Sequence, residues 1–74
     1  MDNIKRNRFE NVASSRVNKI LNAMKSLQNC SNVYNYEYSE EDIRKMISTL
    51  RKQLDELKMA YDKGLAKNKE IFKF

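Results

Sequence analysis

The side chains that could do covalent or acid–base chemistry in this sequence are few. Cys30 is the only cysteine, and histidine is absent. A reactive thiol needs a neighbour that lowers its pKa, and the residues beside Cys30 supply none. The serines and threonines lack a base partner to activate a hydroxyl. The carboxylates Glu40, Glu41, Asp42, Asp55, Glu56 and Asp62 fall where helix capping and surface pairing account for them. Gly64 is the only glycine, so no glycine-rich phosphate loop exists. One cysteine without histidine cannot assemble a zinc site. The sequence therefore reads as a non-enzyme without metal or cofactor, with Cys30 as a small packing residue at a bend.

Binding chemistry is better represented. Tyr34, Tyr36 and Tyr38 alternate, so an extended segment would set all of them on one side. Tyrosines on a loop bury area at low entropy cost and make contact anchors. They can also stack on bases. The competing reading folds them back over the end of a helix pair, with asparagine side chains bonding the turn. A second candidate is the row Arg44, Arg51 and Lys58, which recurs at one heptad position. In a coiled coil such flanking charges pair with a partner helix. The matching flanks in the first half of the chain, Ser14, Arg16, Leu21, Ala23 and Gln28, include no acid. The row thus either lays its stems over a seam or meets an acidic surface elsewhere.

These side chains need helices to position them. Ile43, Ile47, Leu50, Leu54, Leu57 and Tyr61 follow at alternating steps of four and three. Their average period of about 3.5 residues is that of a coiled coil. Proline is absent, and strand-and-turn folds need more turn residues than this chain has. The fold class read from the sequence is all-α. The chain has 74 residues, enough for one small domain whose core supplies only about 3–5 kcal/mol. Without disulfide or metal, the remaining staple is a second chain. The expected architecture is an antiparallel helical hairpin that completes a four-helix bundle by dimerisation.

The expected boundaries are a helix over about 3–28, a Tyr-rich loop over 29–38, a helix over about 40–66, and a short basic and apolar tail over 67–74. Asp2 or Asn3 is the candidate N-cap of the first helix. Its expected buried stripe is Phe9, Ala13, Val17, Ile20, Met24 and Leu27, widened by Val12 and Leu21. Fraying is expected before Phe9, where the formers are weak or charged. Asn11, Asn18, Asn22 and Ser15 give this helix a polar face with little acid. Asparagine is a poor helix former, so the face reads either as drift on a solvated surface or as a binding surface. Asn29-Cys30-Ser31-Asn32 ends the helix, asparagine being tolerant of the left-handed cap geometry. Ser39 with Asp42 resembles a capping box, and Glu40–Arg44 and Glu41–Lys45 have the favourable i,i+4 order. Gly64 interrupts the heptad, so the second helix either frays there or continues with its stripe shifted through Leu65. Ile71, Phe72 and Phe74 end the chain as a segment that docks or stays loose.

The formal net charge of +5 favours an acidic partner, whether protein or nucleic acid. The densest basic cluster is Lys5-Arg6-Asn7-Arg8, and acids interrupt the second helix. A helix-turn-helix would need a third supporting helix and a tight turn. No apolar run follows Met1-Asp2-Asn3-Ile4-Lys5-Arg6, and no stretch approaches the roughly 18 apolar residues of a membrane span. Together with the lone cysteine, this gives the expectation of a cytoplasmic chain with no membrane partner.

The stretch Leu27-Gln28-Asn29-Cys30-Ser31-Asn32, followed by Asn35-Tyr36-Glu37-Tyr38-Ser39-Glu40-Glu41-Asp42-Ile43, resembles a pattern in small uncharacterised helical proteins of Gram-positive prophages, plasmids and other mobile elements. That pattern is a helix ending in Leu-Gly-Asn, a Ser-Asn turn, a Tyr-x-Tyr-Thr/Ser-Glu-Glu run, and an amphipathic helix closing on an aromatic. The resemblance covers Arg16 to Tyr61, with Gln28 standing where the pattern has glycine. It implies a mobile-element context and no particular activity. Short proteins in that context regulate, or bind and block a host machine.

The function expected from all of this is non-catalytic binding of a host or phage protein, with a host defence machine as one class of target. Tyr34, Tyr36, Tyr38, Arg44, Arg51 and Lys58 are the expected contacts with an acidic partner surface. Val17, Ile20, Met24 and Leu27, with the second-helix ladder, form the expected homo-oligomer seam. The alternative is a nucleic-acid-binding regulator using Lys5, Arg6, Arg8, Arg16 and Lys19.

Overall fold

The computed structural model describes residues 3–69 of the chain. Among them are two α-helices, α1 (Ile4–Gln28) and α2 (Glu40–Lys69), a single 3-10 turn at Asn29–Ser31, and no strand. The protein is all-α. It divides into two units, Met1–Glu37 and Tyr38–Phe74, described separately below. Asp2 as an N-cap and the tail residues Ile71, Phe72 and Phe74 lie outside the described residues.

In the first unit, α1 is helical from Ile4 and shows no break before Phe9. Two local interactions fall in the expected fraying zone. The Arg6 Nε donates to Glu10 Oε2 at 2.9 Å, one turn away. The Arg6 guanidinium also sits 5.7 Å from the centroid of the Phe9 ring, a cation–π distance. Asn3 precedes the helix, but its side chain accepts no capping hydrogen bond. Only its carbonyl takes part, accepting the Asn7 N–H at 2.8 Å.

The C-terminus of α1 departs from the expected left-handed cap. Asn29 has φ −66° and ψ −21°, and no non-glycine residue among those described has positive φ. The helix instead tightens into the 3-10 turn, a common way to satisfy the last carbonyls of a helix. Asn32 then turns extended, at φ −68° and ψ 106°. With the turn made this way, no position requires glycine, which explains how Gln28 is accommodated. Cys30, expected to pack, is exposed.

In the second unit, Ser39 and Asp42 form a reciprocal capping box. The Ser39 N–H donates to Asp42 Oδ2 at 2.9 Å, and the Asp42 N–H donates to Ser39 Oγ at 3.2 Å. Asp is short for this role, yet it reaches. Glu40, Glu41 and Asp42 place three acids in the first turn, against the positive end of the helix dipole. Within α2 the Thr49 hydroxyl donates to the Lys45 carbonyl at 2.8 Å, the usual outlet for a mid-helix threonine. The helix does not stop at Gly64. It continues to Lys69, three residues beyond the expected end near 66. Gly64 has no positive φ, and a β-carbon there would meet nothing within 4 Å.

Candidate functional site

The apolar ladder of α2 is one continuous stripe. At about 100° per residue, Ile43, Ile47, Leu50, Leu54, Leu57 and Tyr61 fall in one sector of roughly 80°. Leu65 falls in the same sector, so the stripe resumes past Gly64. Leu50 is of intermediate exposure and the rest of the stripe is exposed, Leu54 to 62%. On α1, Val17, Ile20, Met24 and Leu27 are exposed too, as are Phe9, Val12 and Leu21, while Ala13 is intermediate. The burial expected for both stripes is absent among the described residues, none of which is buried.

Arg44, Arg51 and Lys58 run along one edge of the α2 stripe, as their heptad spacing requires. Lys58 is tied within its own helix, its Nζ donating to Asp62 Oδ2 at 2.9 Å. Both partners are well exposed, at 74% and 58%, so this contact is weak and replaceable. Among the described residues Arg44 and Arg51 have no ion pair. The expected pairs Glu40–Arg44 and Glu41–Lys45 are therefore not formed. Pairs of this kind contribute only a few tenths of a kcal/mol, about the scale of the rotamer entropy they cost. The pairs that do form, Arg6–Glu10 and Lys58–Asp62, place the base N-terminal to the acid, the less favourable order. Their i,i+4 spacing was the signal that sequence reasoning passed over.

The Tyr segment is organised by Asn32. Its side-chain Oδ1 accepts the Tyr34 N–H at 2.9 Å. Its carbonyl accepts both the Asn35 N–H at 3.1 Å and the Tyr36 N–H at 3.0 Å. This is an Asx turn closed over a second turn, the local geometry that asparagine favours. Tyr34 therefore lies inside a turn, and the extended segment that would align it with Tyr36 and Tyr38 is not formed there. Tyr34 is 93% exposed, and Tyr36 and Tyr38 are exposed as well. The unit boundary falls between Glu37 and Tyr38, so the tyrosines belong to different units.

The basic residues of α1 divide into two groups. Arg6 is engaged with Glu10 and Phe9 and falls within the sector of the apolar stripe, at the same angle as Met24. Lys5, Arg8, Arg16 and Lys19 are exposed and have no ion pair among the described residues.

No group of His, Cys, Asp or Glu among the described residues could hold a metal ion. No helix among them is long and apolar enough to cross a membrane. No protein-family model, curated protein or solved structure matches the chain.

Proposed function

We propose that this chain is a non-catalytic association module whose α2 stripe docks on other helices. The observation that carries the reading is the exposure of that stripe, from Ile43 through Leu54 to Leu65. Burying a Leu or Ile side chain contributes about 1.5–3 kcal/mol, against a few tenths for each exposed ion pair. Apolar burial therefore dominates every other interaction this helix can make. In proteins a helix draws most of its stability from such packing.

The occupant of the stripe in this reading is an antiparallel hairpin of α1 and α2 paired with a second copy, giving a homodimeric four-helix bundle. The bundle presents Tyr34, Tyr36 and Tyr38, with Arg44, Arg51 and Lys58, to a protein with an acidic surface. The exposure of Tyr34 and the unpaired state of Arg44 and Arg51 support that assignment. The setting proposed from the mobile-element pattern is a phage or plasmid protein acting on a host or phage target.

Sedimentation equilibrium of the full chain, followed by capture from host lysate with and without nuclease, tests this reading. A dimer that retains a stoichiometric protein after nuclease, and loses it when the three tyrosines become serine, is the expected result. A monomer at all concentrations, or capture indifferent to the tyrosines, refutes it.

A further inference from the structure

The outer face of α1 is patterned in a way that the apolar stripes do not explain. At about 100° per residue, Lys5, Arg8, Arg16 and Lys19 share one sector of roughly 80°. Beside it, Asn7, Asn11, Asn18 and Asn22 share a second sector of roughly 60°. All eight side chains are exposed. The helix carries six basic residues and one acid, Glu10, which lies away from the basic sector and is held by Arg6. The four cations therefore face solvent with no neutralising partner among the described residues.

From this juxtaposition of a lysine–arginine row with an asparagine row, we infer that the outer face of α1 is a contact surface for duplex DNA, independent of what covers the α2 stripe. The row of cations meets phosphates, which supply affinity and orientation. The asparagine amides supply what a bare cationic face lacks. An amide presents a donor and an acceptor together, the pattern that pairs with the N6 and N7 edge of adenine in the major groove. Asn7–Asn11 and Asn18–Asn22 are i,i+4 pairs, about 6 Å apart along the axis at 1.5 Å per residue. That is the rise of about two base pairs at 3.4 Å each.

A B-form major groove, about 12 Å wide, admits an α-helix, whereas the A-form groove of duplex RNA is too narrow. An anionic membrane surface fits less well. Phe9, Ile20 and Leu27 border the basic sector on one side, as in a membrane-surface helix, but the asparagine row borders it on the other, and a lipid surface offers those amides no base edge to read.

The test is fluorescence anisotropy of the full chain with labelled duplex DNA across a salt series. Binding is expected to weaken with salt at a log–log slope of about −3.6, the value for four phosphate contacts. Lys5→Gln with Arg8→Gln should lower the slope by about two phosphate equivalents. Arg6→Gln should leave it unchanged, because that side chain lies outside the row. Asn11→Ala with Asn18→Ala should keep the salt slope and remove any preference for A·T-rich duplexes. Circular dichroism verifies that each variant stays helical. The inference is overturned if duplex DNA does not bind at low salt, or if Arg6→Gln weakens binding as much as the row variants do. Equal binding to polyglutamate, duplex RNA or anionic vesicles also overturns it, reducing the face to a general polyanion contact.

Discussion

Ser39 and Asp42 cap each other across the first turn of α2, each backbone N–H donating to the other's side chain at 2.9 Å and 3.2 Å. The pair satisfies donors that the start of a helix otherwise leaves to water. It also fixes where the preceding segment stops and the helix begins. Ser39→Ala removes one of these acceptors and should cost the helix about 1 kcal/mol. Amide exchange of residues 40–43 should accelerate, with the remainder of α2 little changed. Unchanged exchange at Asp42 would show that the cap has no energetic role.

Asn32 serves the turn before Tyr36 in two separable ways. Asn32→Ala deletes the side-chain acceptor of the Tyr34 N–H but leaves the carbonyl that takes Asn35 and Tyr36. The loss should be about 1 kcal/mol of local stability. By NMR, the Tyr34 amide should shift and exchange faster than those of Asn35 and Tyr36. Equal loss at all three would mean the side chain controls the whole turn.

Gly64 lies inside α2 with ordinary helical geometry and open space where a β-carbon would go. Gly64→Ala should therefore stabilise the helix by about 0.8–1 kcal/mol, the difference in helix propensity. Circular dichroism should show higher ellipticity and a higher midpoint on heating. A loss of helicity would indicate a close contact at this position in the assembled protein.

Leu54 is the most exposed member of the Ile43–Tyr61 ladder and lies at its middle. Leu54→Lys places a charge where the association reading needs a dry contact. Sedimentation should show association weakened at least tenfold, with no recovery at high salt. Conversely, Lys58→Gln breaks only the exposed contact with Asp62 and should leave association within about twofold, since such pairs contribute a few tenths of a kcal/mol.

Much of this protein was legible as residues in a line. The steps of four and three from Ile43 to Tyr61 dictate a helix with one apolar stripe, because only a helix brings those positions together. Ser39 followed by three acids marked the start of α2 because capping is decided by the nearest few residues. The three-dimensional structure decided what depends on competing local partners. The end of α1 had two solutions, a left-handed asparagine cap or a tightened turn, and the backbone took the second, with Asn32 collecting three N–H groups. Gly64 could have ended α2, but one propensity deficit of about 1 kcal/mol is smaller than the gain of continuing an established helix, whose costly step is nucleation. Charge pairing was the least readable feature. Arg6 chose Glu10 and Lys58 chose Asp62 while the better-ordered pairs stayed open, because exposed ion pairs differ by too little energy for spacing alone to select among them.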